Sequence, residues 1–341
     1  MPTTMPAVVK HGPGEAGVAL REVPVPVPRT GQVLLRVVAA GVCGTDLHIA
    51  RDEYRHEAPV VMGHELLAEV EDVGGEVSTE WVGARVVCET YFSTCGSCPL
   101  CRAGRPNLCP SRRSIGSFAD GGFAPRLALP VGNLHRIEQG GIGAVLAEPL
   151  ACAAQCLCDP AVVNPGDEVL VLGPGAMGQL SAQIARAQGG TVTLAGLPED
   201  AHRLQIAAGL GLQTLASTPP AESFDVVIEA TGSGGGARAA LAAARRGGRY
   251  VQVGIIGQET PLNLDAVLYK ELTLTSGFAS TPQSWRRALA LISAGQVRLE
   301  PLVTSRYPLS QWSAAFQAVR TGEGVKTILE PEASPAPGVL A

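Results

Sequence analysis

Apolar positions in the first 150 residues come in short alternating runs, while those after Leu150 fall into a repeating strand–helix rhythm. Val33-Leu-Leu-Arg-Val-Val38 and Leu66-Leu-Ala-Glu-Val-Glu71 are predicted strands, and Gly74-Gly75 and Gly121-Gly122 mark turns. Proline at 24, 26 and 28 fixes φ and removes ladder donors, so 24–28 is predicted as an extended, edge-like segment. Beyond Leu150, the apolar run Glu168–Leu172 leads into a glycine-rich turn and a predicted helix over 179–188. Thr191–Ala195 is the next predicted strand, and others are expected over 225–228, 250–253 and 272–275. An alanine-rich helix is expected over 237–246. That alternation predicts an α/β unit with a doubly wound parallel sheet, preceded by a β-rich part. The tail over 333–338, with its prolines, reads as frayed.

The glycine turn is Gly173-Pro-Gly175-Ala176-Met177-Gly178. A Gly-x-Gly-x-x-Gly match alone is weak, but here a strand precedes it and a helix follows, which is the context of a dinucleotide-binding turn. Gly173 permits the tight turn, Gly175 lets backbone approach a pyrophosphate, and Gly178 allows close helix–strand packing. The helix N-terminus then faces phosphate charge. The bland alternative is an ordinary strand–turn–helix. An acidic residue about twenty positions on should bond the adenosine ribose. That count reaches Gly196 instead, with Glu199, Asp200, His202 and Arg203 in the following loop. The missing carboxylate admits NADP, the loop acids favour NAD, and the choice stays open.

Size and charge narrow the field. A chain of 341 residues, 46% hydrophobic and 17% charged, is a folded protein with room for two domains. A net charge of -5 argues against nucleic acid as a partner. No apolar stretch is long enough to span a bilayer, and the first residues lack the charged head and apolar core of a signal peptide. Nine cysteines fit a reducing, cytoplasmic location, where thiolates bind metal rather than pair.

Four of those cysteines, Cys95, Cys98, Cys101 and Cys109, follow the spacing Cys-x2-Cys-x2-Cys-x7-Cys in a glycine- and proline-containing loop. Four thiolates so placed can close a tetrahedron around one Zn2+ with no position left for water, which is a structural site. A second group is spread more widely: Cys43 in Gly41-Val-Cys43-Gly-Thr45-Asp46-Leu-His48, then Gly63-His64-Glu65, then Glu148-Pro149-Leu150. Thiolate, imidazole and carboxylate all suit zinc, and three protein ligands with an open position form the catalytic arrangement. By spacing alone this second group is weak, since a His beside a Glu is more often a hydrogen-bonded pair. Cys152 and Cys156 share a helical face with Glu148, so Cys152 could approach a metal there; the favoured role for both is as small buried residues, with Cys88 and Cys158 as packing or surface.

Taken in order, Cys-Gly-Thr-Asp-x-His, Gly-His-Glu, the four-cysteine loop, Glu-Pro-Leu and the glycine turn resemble the zinc-containing medium-chain dehydrogenases, the family of alcohol, sorbitol and threonine dehydrogenases. Asp120-Gly-Gly-Phe-Ala124 and the closing Gly322-Glu-Gly-Val-Lys326 extend the resemblance over nearly the whole chain. It implies a GroES-like catalytic domain with an inserted Rossmann domain, divided here as 1–152, 153–278 and 279–341. It implies two zinc ions per chain, NAD+ or NADP+, and a homo-oligomer, dimer or tetramer. Carried over by motif, Cys43 and His64 ligate the catalytic zinc, with Glu65 favoured over Glu148 as third protein ligand. Thr45 corresponds to the hydroxyl that takes the substrate proton and His48 to its relay. Gly173, Gly175, Ala176, Met177, Gly178, Gly196 and Arg203 would contact the cofactor.

The implied reaction is oxidation of a secondary alcohol, a polyol or sugar derivative, with L-threonine or a simple alcohol as the alternative. Glu89, Glu148, Tyr54, Arg113 and Phe118 are the candidate pocket residues. Outside this class stand a zinc-free reductase relative and a non-enzymatic zinc- or nucleotide-binding protein.

Overall fold

A computed structural model describes residues 3–139 and 141–331, so the tail over 333–338 lies outside the described residues. The chain divides into two compact units. One runs up to Glu148 and resumes at Val303, and the other is Pro149–Leu302.

The first unit is built on the ten-residue strand Gln32–Gly41. Glu65–Val73, Arg126–Pro130 and Lys326–Glu330 all pair with it antiparallel. Its alternation is physical: Val33, Leu35 and Val37 turn into one core with Leu66, Ala68, Val70 and Phe123, while Arg36 stays outside. Burying each such Val or Leu contributes roughly 1.5–3 kcal/mol relative to exposure. Pro24 ends the strand Val18–Pro24, consistent with proline's missing donor. The last described strand, Lys326–Glu330, sets Ile328 opposite Gly41 and Leu329 opposite Ala40. Residues nearly three hundred positions apart (326 and 42) thereby become neighbours.

The second unit is a six-stranded parallel sheet in the spatial order Gln213–Leu215, Thr191–Ala195, Glu168–Leu172, Phe224–Glu229, Ala244–Gln252 and Thr273–Ser276. Order reverses between Glu168–Leu172 and Phe224–Glu229, and a crevice at the carboxyl ends of strands at such a point is where open α/β sheets bind ligands. Three details differ from the sequence expectation. The first helix is Ala176–Ala187, beginning inside the glycine turn rather than at 179. The alanine-rich helix is Gly234–Ala243, and Ala244, Arg245 and Arg246 already belong to the next strand. Lys270 ends it: its Nζ donates to the carbonyls of Leu241, Ala242 and Ala244 at 2.9, 3.0 and 3.0 Å. Those are the carbonyls a helix leaves unpaired at its C-terminus.

The third difference is the return to the first unit, which falls at Val303 and not at 279. Residues 279–302 are held in the sheet unit by specific bonds. Thr281 Oγ1 donates to Gln155 at 2.7 Å and begins the helix Pro282–Ser293. The buried Gln183 side chain donates to the Arg298 carbonyl and accepts from the Arg298 amide.

Candidate metal centre and cofactor turn

Cys43 closes the strand end and caps the helix Gly44–Ala50. Asp46, at the third helical position, accepts from the Cys43 amide at 2.8 Å through Oδ2. Such a cap fixes where the helix begins, and hence where the Cys43 sulfur, Thr45 and His48 stand. The other oxygen of fully buried Asp46 lies 3.3 Å from His64 Nδ1, an ion-pair contact without a well-aligned hydrogen bond. An imidazole held by a carboxylate at one nitrogen presents the other to a metal. Burial by itself would pull His64 down, but the Asp46 carboxylate and Cys43 beside it hold it well above the ordinary 6.5. The pocket is thus built to receive positive charge.

Ligand atoms of Cys43, His64 and Glu65 all lie within 4.8 Å of one another. Glu65 Oε2 is buried, with no well-aligned hydrogen bond, although Lys326 Nζ stands 2.5 Å away. A thiolate, an imidazole and an under-satisfied carboxylate in one pocket fit Zn2+. Glu148 stands outside that set, buried in the first turn of the helix Ala147–Leu157, and so does Cys152 on the same helix.

The four-cysteine loop forms the other cluster, its sulfurs again within 4.8 Å of one another. Zinc–sulfur bonds of roughly 2.3 Å in a tetrahedron set the sulfurs about 3.8 Å apart. Cys95 Sγ lies 3.6 Å from Cys109 Sγ and 4.0 Å from Cys101 Sγ. The amides of Cys98 and Cys101 donate to the sulfurs of Cys95 and Cys98 at 3.3 and 3.4 Å. Backbone N–H groups of Ser97 and Cys98 pull the Cys95 thiol down to about 6, while desolvation and the neighbouring Cys98 and Cys109 sulfurs push Cys101 up to about 11, so the loop favours a first thiolate and opposes the rest until a cation joins them. All nine cysteines are free, so no disulfide competes with this arrangement.

At the glycine turn, Gly173 has φ +100° and a Cβ there would meet the Ala230 backbone at 2.9 Å. A Cβ on Gly178 would stand 1.7 Å from the Gly173 carbonyl oxygen. A Cβ on Gly175 would meet nothing within 4 Å, so open space lies over the turn at the head of the Ala176–Ala187 helix, where a pyrophosphate would sit. Beyond Thr191–Ala195, Gly196 is pressed against Pro174, and its Cβ would lie 2.8 Å from the proline ring and 3.1 Å from Asp200 Cβ. Asp200 accepts from the Leu197 amide at 3.0 Å and pairs with Arg203 at 3.2 Å.

Comparison with known proteins agrees with both halves. Residues 29–139 match the alcohol dehydrogenase GroES-like domain, and residues 176–294 match the zinc-binding dehydrogenase domain. A sorbitol dehydrogenase of Halalkalibacterium halodurans is 35% identical over 96% of this chain and 99% of its own length. This chain belongs to the zinc-containing medium-chain dehydrogenases. A D-arabitol-phosphate dehydrogenase of Enterococcus avium is 31% identical, covering 97% of this dehydrogenase and 98% of itself. An L-threonine 3-dehydrogenase of Streptomyces coelicolor is 32% identical, with coverage of 96% and 99%. A Sinorhizobium meliloti 1021 structure, described as a zinc-binding dehydrogenase bound to NADP, superposes with a TM-score of 0.88 at 29% identity, covering 97% of this chain and all of that one. The dehydrogenase is therefore an NAD(P)-dependent enzyme of the alcohol dehydrogenase family. No helix among its described residues is long and apolar enough to cross a membrane.

The candidate pocket residues of the dehydrogenase already have partners. Arg113 makes two bonds to Glu57, at 3.0 and 2.7 Å, and one to the Phe118 carbonyl at 2.7 Å. Arg112 reaches Tyr54 Oη at 3.4 Å, and Glu89 lies 3.0 Å from His135. Two residues of the site went unassigned in the sequence. Asp46 was legible as a cap, three positions after Cys43. Lys326 carried no local signal, because only strand pairing brings it to Glu65.

Proposed function

We propose that this enzyme oxidises a secondary alcohol of a polyol or sugar derivative to a ketone, passing hydride to a nicotinamide cofactor, and runs in reverse under reducing conditions. The observation that carries the reading is the cluster of Cys43, His64 and Glu65 beside the helix bearing Thr45 and His48. Zinc held by those three residues supplies Lewis acidity toward the reacting oxygen. Thr45 Oγ1, 3.7 Å from Cys43 Sγ, accepts the substrate hydroxyl proton. His48, three positions along the same helix and 40% exposed, passes it to solvent. Glu53 Oε2, 2.7 Å from His48 Nδ1, orients that ring. Glu148, outside that cluster, is not one of the three ligands in this reading.

The cofactor reading is NADP(H). No side chain fits at Gly196, so the ribose-binding carboxylate cannot stand there, and Asp200 is already engaged by Leu197 and Arg203. Substrate class rests on the sorbitol and D-arabitol-phosphate relatives, with threonine the alternative because threonine dehydrogenases match nearly as well. We also propose a cytoplasmic homo-oligomer, dimer or tetramer. Ile255, Leu264, Leu268, Tyr269 and Leu274 are exposed in the stretch that ends at the outermost strand, Thr273–Ser276.

Steady-state assays on sorbitol, xylitol, erythritol, inositol, threonine and 2-butanol, each with NAD+ and NADP+, test the reading. The expected result is the highest kcat/KM on a polyol with NADP+. A clear preference for threonine overturns the substrate class, and a preference for NAD+ overturns the cofactor choice.

A further inference from the structure

Lys326 is a buried cation in a metal pocket, which is unusual chemistry because a fixed positive charge repels the ion the pocket is built to bind. Its side chain is 5% exposed, and its Nζ lies 2.5 Å from Glu65 Oε2 and 3.1 Å from the Val42 carbonyl it donates to. The chain leaves room for the pair. A Cβ on Gly41 would stand 2.0 Å from Glu65 Oε2 and 3.0 Å from Lys326 Cε, so only glycine fits between them. Strand pairing fixes the lysine from both sides, since the Val42 amide donates to the Thr327 carbonyl at 2.9 Å and Ile328 sits opposite Gly41.

A lone carboxylate as deeply buried as Glu65 is strongly destabilising, and a cation beside it offsets that cost. Zn2+ bound to Cys43 and His64 offsets the same charge. Lys326 and the metal are therefore rivals for one carboxylate. We propose that Lys326 is a positioning residue that holds Glu65 as its counter-ion when the metal is absent, keeping the pocket formed and setting the metal affinity below what the three ligands alone would give. This rests on the metal site of the preceding section and concerns the lysine alone.

The test is a metal-binding cycle. The zinc Kd of the Cys43 site is read by chelator competition, as the ion whose binding Cys43→Ala abolishes. Melting is followed with and without that ion. Lys326→Met and Lys326→Gln should each tighten the Kd by about tenfold or more, because a fixed repulsive charge and a rival are both removed. Both variants should melt lower than wild type without metal, and zinc should raise their midpoint more than it raises the wild type's. In a Glu65→Gln background, Lys326→Met should tighten the Kd clearly less than it does alone, since charge repulsion is still relieved but no carboxylate remains to be shared. Weakened or unchanged affinity in both single variants overturns the proposal, as does the same tightening without Glu65. A wild type that takes up no ion sensitive to Cys43→Ala would instead sink the metal site itself.

Discussion

Asp46 shows how much of this site depends on a residue that touches neither substrate nor metal. One carboxylate caps the helix that carries Thr45 and His48, and also orients His64. Asp46→Asn keeps the shape and a cap acceptor but removes the charge facing the imidazole. Metal affinity at the Cys43 site should fall by roughly 10–100-fold, the usual loss for a residue behind a ligating histidine. The zinc of the four-cysteine loop should be unaffected, so total zinc drops toward one per chain under a chelator challenge. Retention of both ions under that challenge would show that His64 needs no such support. The residue scale is also where the sequence was most and least informative. Cys43, His64 and Glu65 lie in short motifs whose side-chain chemistry advertises metal binding. Lys326, a single lysine opening an ordinary apolar strand, becomes a neighbour of Glu65 only because its strand returns to the Val42 end of Gln32–Gly41, 284 positions earlier.

Among the elements, the four-cysteine loop is the one whose stability its own side chains explain least. Cys95, Cys98, Ser97 and Gly96 offer little surface to bury, and Cys95 and Gly96 are exposed. A metal cross-link would replace a core there, since apparent binding energies reach ~10–16 kcal/mol in small zinc-finger peptides. Cys101→Ser should lower the melting midpoint and remove one zinc while leaving turnover per folded molecule unchanged well below that midpoint. Lost turnover at unchanged stability would mean the loop takes part in the chemistry. Element type was readable from periodicity along the parallel sheet, because buried strands are continuous apolar runs and Glu168–Leu172 and Thr191–Ala195 stand where expected. Element ends were not. The Gly234–Ala243 helix stops where Lys270 supplies a cap from outside, and alanine propensity alone would have carried it on.

At the scale of the molecule, the exposed apolar group before and on the Thr273–Ser276 strand predicts self-association. Sedimentation should give a multiple of the 35.1 kDa chain mass, and Leu268→Glu should shift it toward the single chain while both zinc ions remain. A wild-type mass of one chain removes the oligomer reading. The two-unit division is visible as a change of rhythm near residue 150, yet composition puts the return at 279 and the structure puts it at Val303, since Gln183 and Gln155 fasten 281–298 by backbone and side-chain bonds that leave no pattern in composition. The pairing of Lys326–Glu330 with Gln32–Gly41 also bears on synthesis. A ribosome delivers Glu65 hundreds of residues before Lys326, so the nascent first unit carries a carboxylate with its lysine still untranslated. Until the Lys326–Glu330 strand docks, that carboxylate is left to water, a proton or a metal ion.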